Sequence, residues 1–239
     1  MEDILSKVNA DRAVFNGLGN IYPADGSVEI SAEPIEGVTC YWFAPDSFDE
    51  NKIIIYLHGG MFVLGSIETY KPMVSYFASA FSAKILFIEY GLAPEKPFPN
   101  GVNDVLKVYR ELIRRYPDAK ITLMGDSAGG ALSATLIKMA SEEKLGMPSC
   151  VVMLSPWVYL RGNTESYETR KKLDTILTKD KLMEYQVITL RIIGMRQIQV
   201  NLPLIASPLC SFWLAVMKYF LTTQNYSTKK LNHCSLTRK

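Results

Sequence analysis

Residues 121–133 read ITLMGDSAGGALS. An apolar run rich in strand-forming residues ends at Met124, a serine follows between two glycines, and small residues come next. The pattern predicts a strand, a tight bend and a helix. Gly125-Asp126-Ser127-Ala128-Gly129 fits G-x-S-x-G in the strand-to-helix context which that pattern requires. At such a bend a serine is forced into a strained backbone conformation with its hydroxyl at the carboxyl edge of the sheet. Glycines two before and two after avoid a β-carbon colliding with the neighbouring strand or helix. The new helix aims its free N–H groups at the serine and favours negative charge there. Ser127 is therefore the candidate nucleophile, against the blander reading of a glycine-rich turn that packs a helix on a sheet.

Working outward, the first 184 residues alternate. CYWFA (40–44), IIIYL (53–57), KILFIEY (84–90), ITLMG (121–125) and VVMLS (151–155) read as strands. Near-continuous apolarity in 84–90 suits a strand covered on both faces. In 102–116, Val102, Val105, Leu106, Tyr109, Leu112 and Ile113 recur at helical spacing, and 128–141 follows with Leu132, Leu136 and Met139. Pro94, Pro97 and Pro99 make 92–101 a rigid loop. This alternation predicts an α/β fold: a mostly parallel sheet with right-handed crossovers and helices on both faces. Residues 1–37 show no regular pattern.

A second element carries chemistry. YLHGGMF (56–62) follows a strand directly, and two glycines let its backbone turn N–H groups into a pocket. Donors at Gly59, Gly60 and Ala128 would converge on the oxygen that turns negative when Ser127 attacks a carbonyl. His58 belongs to this loop as an ordering residue, on the wrong side of the oxyanion site to deprotonate Ser127.

Composition excludes several classes. The chain has 239 residues and a net charge of +2, so nothing global points to nucleic acid. Cys40, Cys150, Cys210 and Cys234 lie far apart, without metal-ligand spacing. MEDILSKVNADR lacks the apolar segment of a secretory signal, so a cytoplasmic protein with free thiols is expected.

HGGMFVLGS, EYGLAPEKPFP, MGDSAGGALS and LSPWVYL resemble the hormone-sensitive-lipase-like branch of the α/β-hydrolases, in that family's order and approximate spacing. The resemblance covers roughly residues 40–184. It implies hydrolysis of a small acyl ester, with Ser127 as nucleophile, Gly59, Gly60 and Ala128 as oxyanion donors, and no metal or organic cofactor. Gly91 departs from it, because the family usually has arginine there. The segment 167–182 resembles the approach to the family's substrate-pocket helix, and SPL at 207–209 a later landmark.

The proton acceptor is the difficulty. A serine hydroxyl needs a base, and the base an orienting acid; in this fold they follow the serine in the order acid, then histidine. Only His233 follows Ser127, in KKLNHCSLTRK, which does not resemble the family's histidine segment. The 55 residues after Glu184 hold no acid and seven basic residues, whereas residues 1–184 carry a formal −5. Read one base earlier, residues 216–232 become compatible with G-D-E-V-F-L-D-D-S-K-L-F, in which Met217 and Lys218 force the glutamate. That pattern resembles the family's acid motif. The expectation is a single α/β-hydrolase domain over 1–209, with 1–37 as a cap segment and the last strands missing, followed by an aberrant, frame-shifted basic tail over 210–239. Such a chain would show little or no turnover. The alternative is a catalytically inactive ligand-binding protein that keeps the acyl pocket. A membrane anchor at 202–221 is disfavoured by Pro203, Pro208, Ser207, Ser211 and Lys218, so no membrane span is expected.

Overall fold

A computed structural model describes residues 2–158, 160, 165–173 and 177–190. The expected tail over 210–239, its frame shift, His233 and the 202–221 segment lie outside the described residues.

The polypeptide begins with helix α1 (Glu2–Asn16) and a short 3-10 turn, then strands β1 (Val28–Ile35), β2 (Val38–Pro45) and β3 (Lys52–Leu57). Helix α2 (Ile67–Phe81), β4 (Lys84–Ile88), α3 (Asn100–Arg115), β5 (Lys120–Asp126), α4 (Ala128–Glu142) and β6 (Cys150–Leu154) follow. Two further helices are α5 (Ser166–Thr169) and α6 (Lys179–Leu190).

The six strands lie in the order β1-β2-β4-β3-β5-β6. β3, β4, β5 and β6 run parallel, and β1 and β2 extend the sheet antiparallel through β4. Both faces are covered. Ile53, Ile55 and Leu57 of β3 pack with Leu86 and Ile88 against Val105, Tyr109 and Leu112 of α3 and Leu132 and Leu136 of α4. On the other face Tyr56, Ile85 and Phe87 meet Tyr70, Val74 and Phe77 of α2. Because successive strand residues point to opposite faces, a strand buried on both reads as unbroken apolarity, as in 84–88.

The five expected strands are present, within a few residues at their ends. Three elements were not legible. α1 and β1 occupy the stretch that reads as irregular. α2 contains Pro72, which breaks the helical reading. Its start is fixed from outside, where the Ile67 N–H donates to Glu89 Oε1 at 2.6 Å, while Ser66 makes no side-chain cap. The half-buried Glu89 carboxylate thus sits at the positive end of α2, and burial pushes its pKa up.

The sheet order reverses at β3: β4 lies on one side and β5 on the other. The loop after β3 and the bend after β5 therefore meet at the carboxyl edge, where open α/β sheets place their ligands. The closeness of α4 to β3 depends on Gly129, where a β-carbon would lie 1.8 Å from Leu57 O. Gly129→Ala should lower stability by roughly 1–3 kcal/mol through this overpacking, measurable as a shift in urea midpoint at unchanged slope.

Candidate active site

Ser127 sits between the last residue of β5 and the first of α4, with φ 48° and ψ −114°. This left-handed strain is held by three backbone hydrogen bonds. Ser127 N–H donates to Leu154 O at 2.9 Å, and Ser127 O accepts from Ala131 (3.2 Å) and Trp157 (2.8 Å). Strain persists at a residue over-determined in this way. The bend is also closed to larger residues, since a β-carbon on Gly125 would lie 2.7 Å from both Gly129 C and Leu57 O. The Ser127 side chain is half-buried, and Ala128 behind it is fully buried.

Across from it, the loop after β3 curls tightly. Gly60 O accepts from Val63 N–H (3.0 Å) and Leu64 N–H (2.7 Å). Gly60, Met61 and Phe62 all have positive φ, at 113°, 58° and 62°. A β-carbon at Gly60 would come 2.2 Å from Leu64 O, so this turn requires glycine. The N–H groups of Gly60, Met61 and Ala128 make no hydrogen bond to another described residue.

Gly59 is different. Its N–H donates to Asp126 Oδ1 at 2.9 Å and to Tyr70 Oη at 3.1 Å, so it is not free to serve as the expected oxyanion donor. The physical reason is Asp126, one residue before the serine, whose buried carboxylate accepts from Gly59, Tyr56 and Tyr70. Tyr56 Oη donates to Oδ1 and Tyr70 Oη to Oδ2, each at 2.9 Å. Burial raises the Asp126 pKa, and the two tyrosines and the Gly59 N–H pull it back. Burial beside this carboxylate in turn pushes the Tyr56 and Tyr70 phenols up. Asp126 stood in the quoted motif, but nothing in its spacing showed that it reaches the loop after β3. Tyr70 was hidden in the unread helix α2, and Met61 carries no sequence signal for its backbone.

His58 is enclosed. It is fully buried, stacked on Tyr90 (4.3 Å between ring centroids) and Phe87 (5.3 Å). Nδ1–H donates to Gly59 O at 2.7 Å, and Nε2 has no partner. Burial pushes its pKa down to about 4, partly opposed by the Gly59 bond. It is a neutral, loop-ordering ring, and among the described residues it is the only histidine.

Above this edge, α1 and α6 pack over the loop after β3. Val8, Leu182 and Tyr185 bury Met61, Val63, Leu64 and Ala93. Arg12 fastens the layer: Nε donates to Val63 O (2.8 Å), one terminal nitrogen to Ala93 O (2.9 Å), and both terminal nitrogens to the Glu95 carboxylate. Lys7 pairs with Glu184, and Tyr185 donates to Asp11.

Among the described residues no group of acids, histidines and cysteines could hold a metal, and no helix is long and apolar enough to cross a membrane.

The α/β-hydrolase fold family matches residues 54–219. An acetyl-hydrolase of Streptomyces hygroscopicus is 34% identical over 140 residues, 58% of this chain and 46% of that protein. An esterase of Acinetobacter venetianus is 29% identical over 175 residues, 73% of this chain and 57% of that protein. The crystal structure of an esterase from the bacterial hormone-sensitive lipase family superposes with a TM-score of 0.77 at 31% identity, covering 82% of this chain and 65% of that one. The chain spans about half the length of the curated relatives it matches.

Two outcomes follow from the site's electrostatics. Asp126→Asn places an amide where three donors converge; it should cost about 2–3 kcal/mol and speed amide hydrogen exchange at Gly59. His58 stays neutral in the native state down to about pH 4, whereas in the unfolded chain it titrates near its ordinary value of about 6.5. Between those values the unfolded chain binds a proton that the native state does not. Stability should therefore fall as pH falls, by about 3 kcal/mol in all. Asp126, whose pKa burial raises, opposes this toward the acid end. Chemical denaturation across that window should show the slope, and His58→Phe should flatten it.

Proposed function

This chain belongs to the α/β-hydrolase fold family, in its hormone-sensitive-lipase-like branch, and on that footing we propose that it is built for carboxylic-ester hydrolysis at Ser127. The observation that carries the reading is the strained serine facing a loop whose N–H groups at Gly60 and Met61 are unengaged. Ser127 Oγ attacks the carbonyl carbon of an acyl ester and gives up its proton to a base. The tetrahedral oxyanion is held by the N–H groups of Gly60, Met61 and Ala128, with the amino end of α4 adding its dipole. Collapse expels the alcohol and leaves the acyl group on Ser127, and water then releases the acid. Gly59 contributes by anchoring the loop to Asp126 rather than by donating to the oxyanion.

His58 is not the base, because its ring is fully buried and stacked on Tyr90 and Phe87, Nδ1–H is held by Gly59 O and its pKa is low. None of the described residues supplies the base, and the chain's one other histidine, His233, lies in a stretch of 55 residues that holds no acid. Turnover of this chain is therefore expected to be low, while acylation chemistry at Ser127 is retained. A ligand-binding protein needs neither a strained serine nor free N–H donors, which favours the hydrolase reading over that alternative. Small acyl esters are the proposed substrates, and no nucleic-acid partner is proposed.

A fluorophosphonate probe should label the chain at one site. Peptide mapping should place the label on Ser127, and Ser127→Ala should remove it. p-Nitrophenyl butanoate should show slow acylation, with steady turnover at least 100-fold below that of an enzyme with a complete triad. An unlabelled Ser127 in a folded protein would contradict the proposal. If His233→Ala abolished a substantial turnover, the carboxyl-terminal segment would supply the base.

A further inference from the structure

The loop after β3 turns on two residues other than glycine, Met61 and Phe62, in the left-handed region at φ 58° and 62°. Side chains rarely adopt that region, and such a turn persists only when its surroundings over-determine it. Here three successive carbonyls are held from three different parts of the chain. Met61 O accepts from Thr189 Oγ1 of α6 at 3.2 Å. Phe62 O accepts from the Ala93 N–H at 3.0 Å. Val63 O accepts from Arg12 Nε of α1 at 2.8 Å.

Arg12 and Thr189 each bridge this turn to the segment that follows β4. Arg12 also donates to Ala93 O and to the Glu95 carboxylate. The Thr189 carbonyl accepts from the Phe98 N–H at 3.0 Å. Thr189 is buried and the Arg12 side chain is 22% exposed, so water replaces these donors poorly.

Peptide geometry carries the effect to the candidate site. A trans peptide is planar and its N–H opposes its C=O, so holding the carbonyl of a unit fixes the direction of its N–H. Arg12 holds Val63 O, whose unit ends in the Leu64 N–H. That N–H donates to Gly60 O at 2.7 Å, whose unit ends in the Met61 N–H. Two peptide units thus run in relay from the guanidinium to the Met61 N–H, which has no partner among the described residues. The positive charge at the head polarises both units in the sense that strengthens the last donor. Thr189 holds Met61 from its other side, through the carbonyl that follows that N–H.

We propose that Arg12 and Thr189 are positioning residues for the reaction at Ser127, which act by aiming the Met61 N–H through these held carbonyls. The inference rests on the hydrolase reading for the use of that N–H, but not for the relay that orients it.

The test is the rate at which a fluorophosphonate labels Ser127 in the full chain, taken to saturation so that limiting rate and half-saturating concentration separate. Arg12→Met keeps the aliphatic bulk without the donors, and Thr189→Val keeps the shape without the hydroxyl. Each should lower the limiting rate by about tenfold and leave half-saturation within about twofold, a fraction of the roughly 100-fold that follows loss of a whole oxyanion donor. Thr189→Ser should restore the rate. Lys7→Ala, which removes the ion pair between α1 and Glu184 of α6, should leave it unchanged. Amide exchange at Val63 and Leu64 should quicken in Arg12→Met and Thr189→Val but not in Lys7→Ala. Thr189→Val, nearly isosteric, carries the test should Arg12→Met not fold. Wild-type rates in the folded variants, or an equal fall in Lys7→Ala, would overturn the inference and leave the hydrolase reading standing. If wild-type Ser127 is never labelled, the hydrolase reading fails, whereas quickened exchange at Val63 and Leu64 in the two variants still bears out the relay.

Discussion

The buried carboxylate of Asp126 ties the two halves of the site into one object. It sits at the end of β5, one residue before the strained serine, and accepts hydrogen bonds from Tyr56 at the end of β3, from Tyr70 on α2 and from the Gly59 backbone. A buried carboxylate is tolerable only when its oxygens are satisfied by well-placed donors. Here the donors come from a neighbouring strand, a helix across the sheet and the very loop that must face the serine. Meeting the electrostatic need of one side chain thus fixes the spacing between the Ser127 bend and the loop after β3.

Several of the structure's less common backbone conformations lie at the same edge. Ser127, Gly60, Met61 and Phe62 all have positive φ, and each lies within a few residues of the proposed reacting atoms. Strain of this kind persists only when the surroundings over-determine it. The surroundings here are the Leu154 and Trp157 bonds around Ser127, the Gly60 turn, and the layer of α1 and α6 fastened by Arg12. His58 fits the same logic. Held neutral in an aromatic stack, it keeps Gly59 O from turning, which is a structural use of a residue type more often met as a base.

The bend at Ser127 and a cavity beside it differ in how closely the backbone constrains them. The elbow is dictated by close backbone approaches, such as Gly129 against Leu57, and admits little variation. The cavity, bordered by Phe62 and Trp157, is lined mainly by side chains, with Gly91 and Gly101 also in its wall.

Ser127, the turn around it and the alternating strands were readable from residues alone because local sterics and periodicity dictate them. A serine between glycines at a strand-to-helix bend has few conformations available, and a doubly covered strand must be apolar throughout. What only the tertiary structure decided depends on residues far apart in the chain. Gly59 was expected to donate to the oxyanion, but its N–H is claimed by Asp126, 67 positions away. α2 is helical despite Pro72 because Glu89 caps it from β4's far end. α1 and β1 form because a sheet edge and the loop after β3 offer them apolar surface, which no pattern within residues 1–37 announces. Local propensity is written along the chain, whereas the partner of a buried hydrogen-bonding group is chosen by the packing.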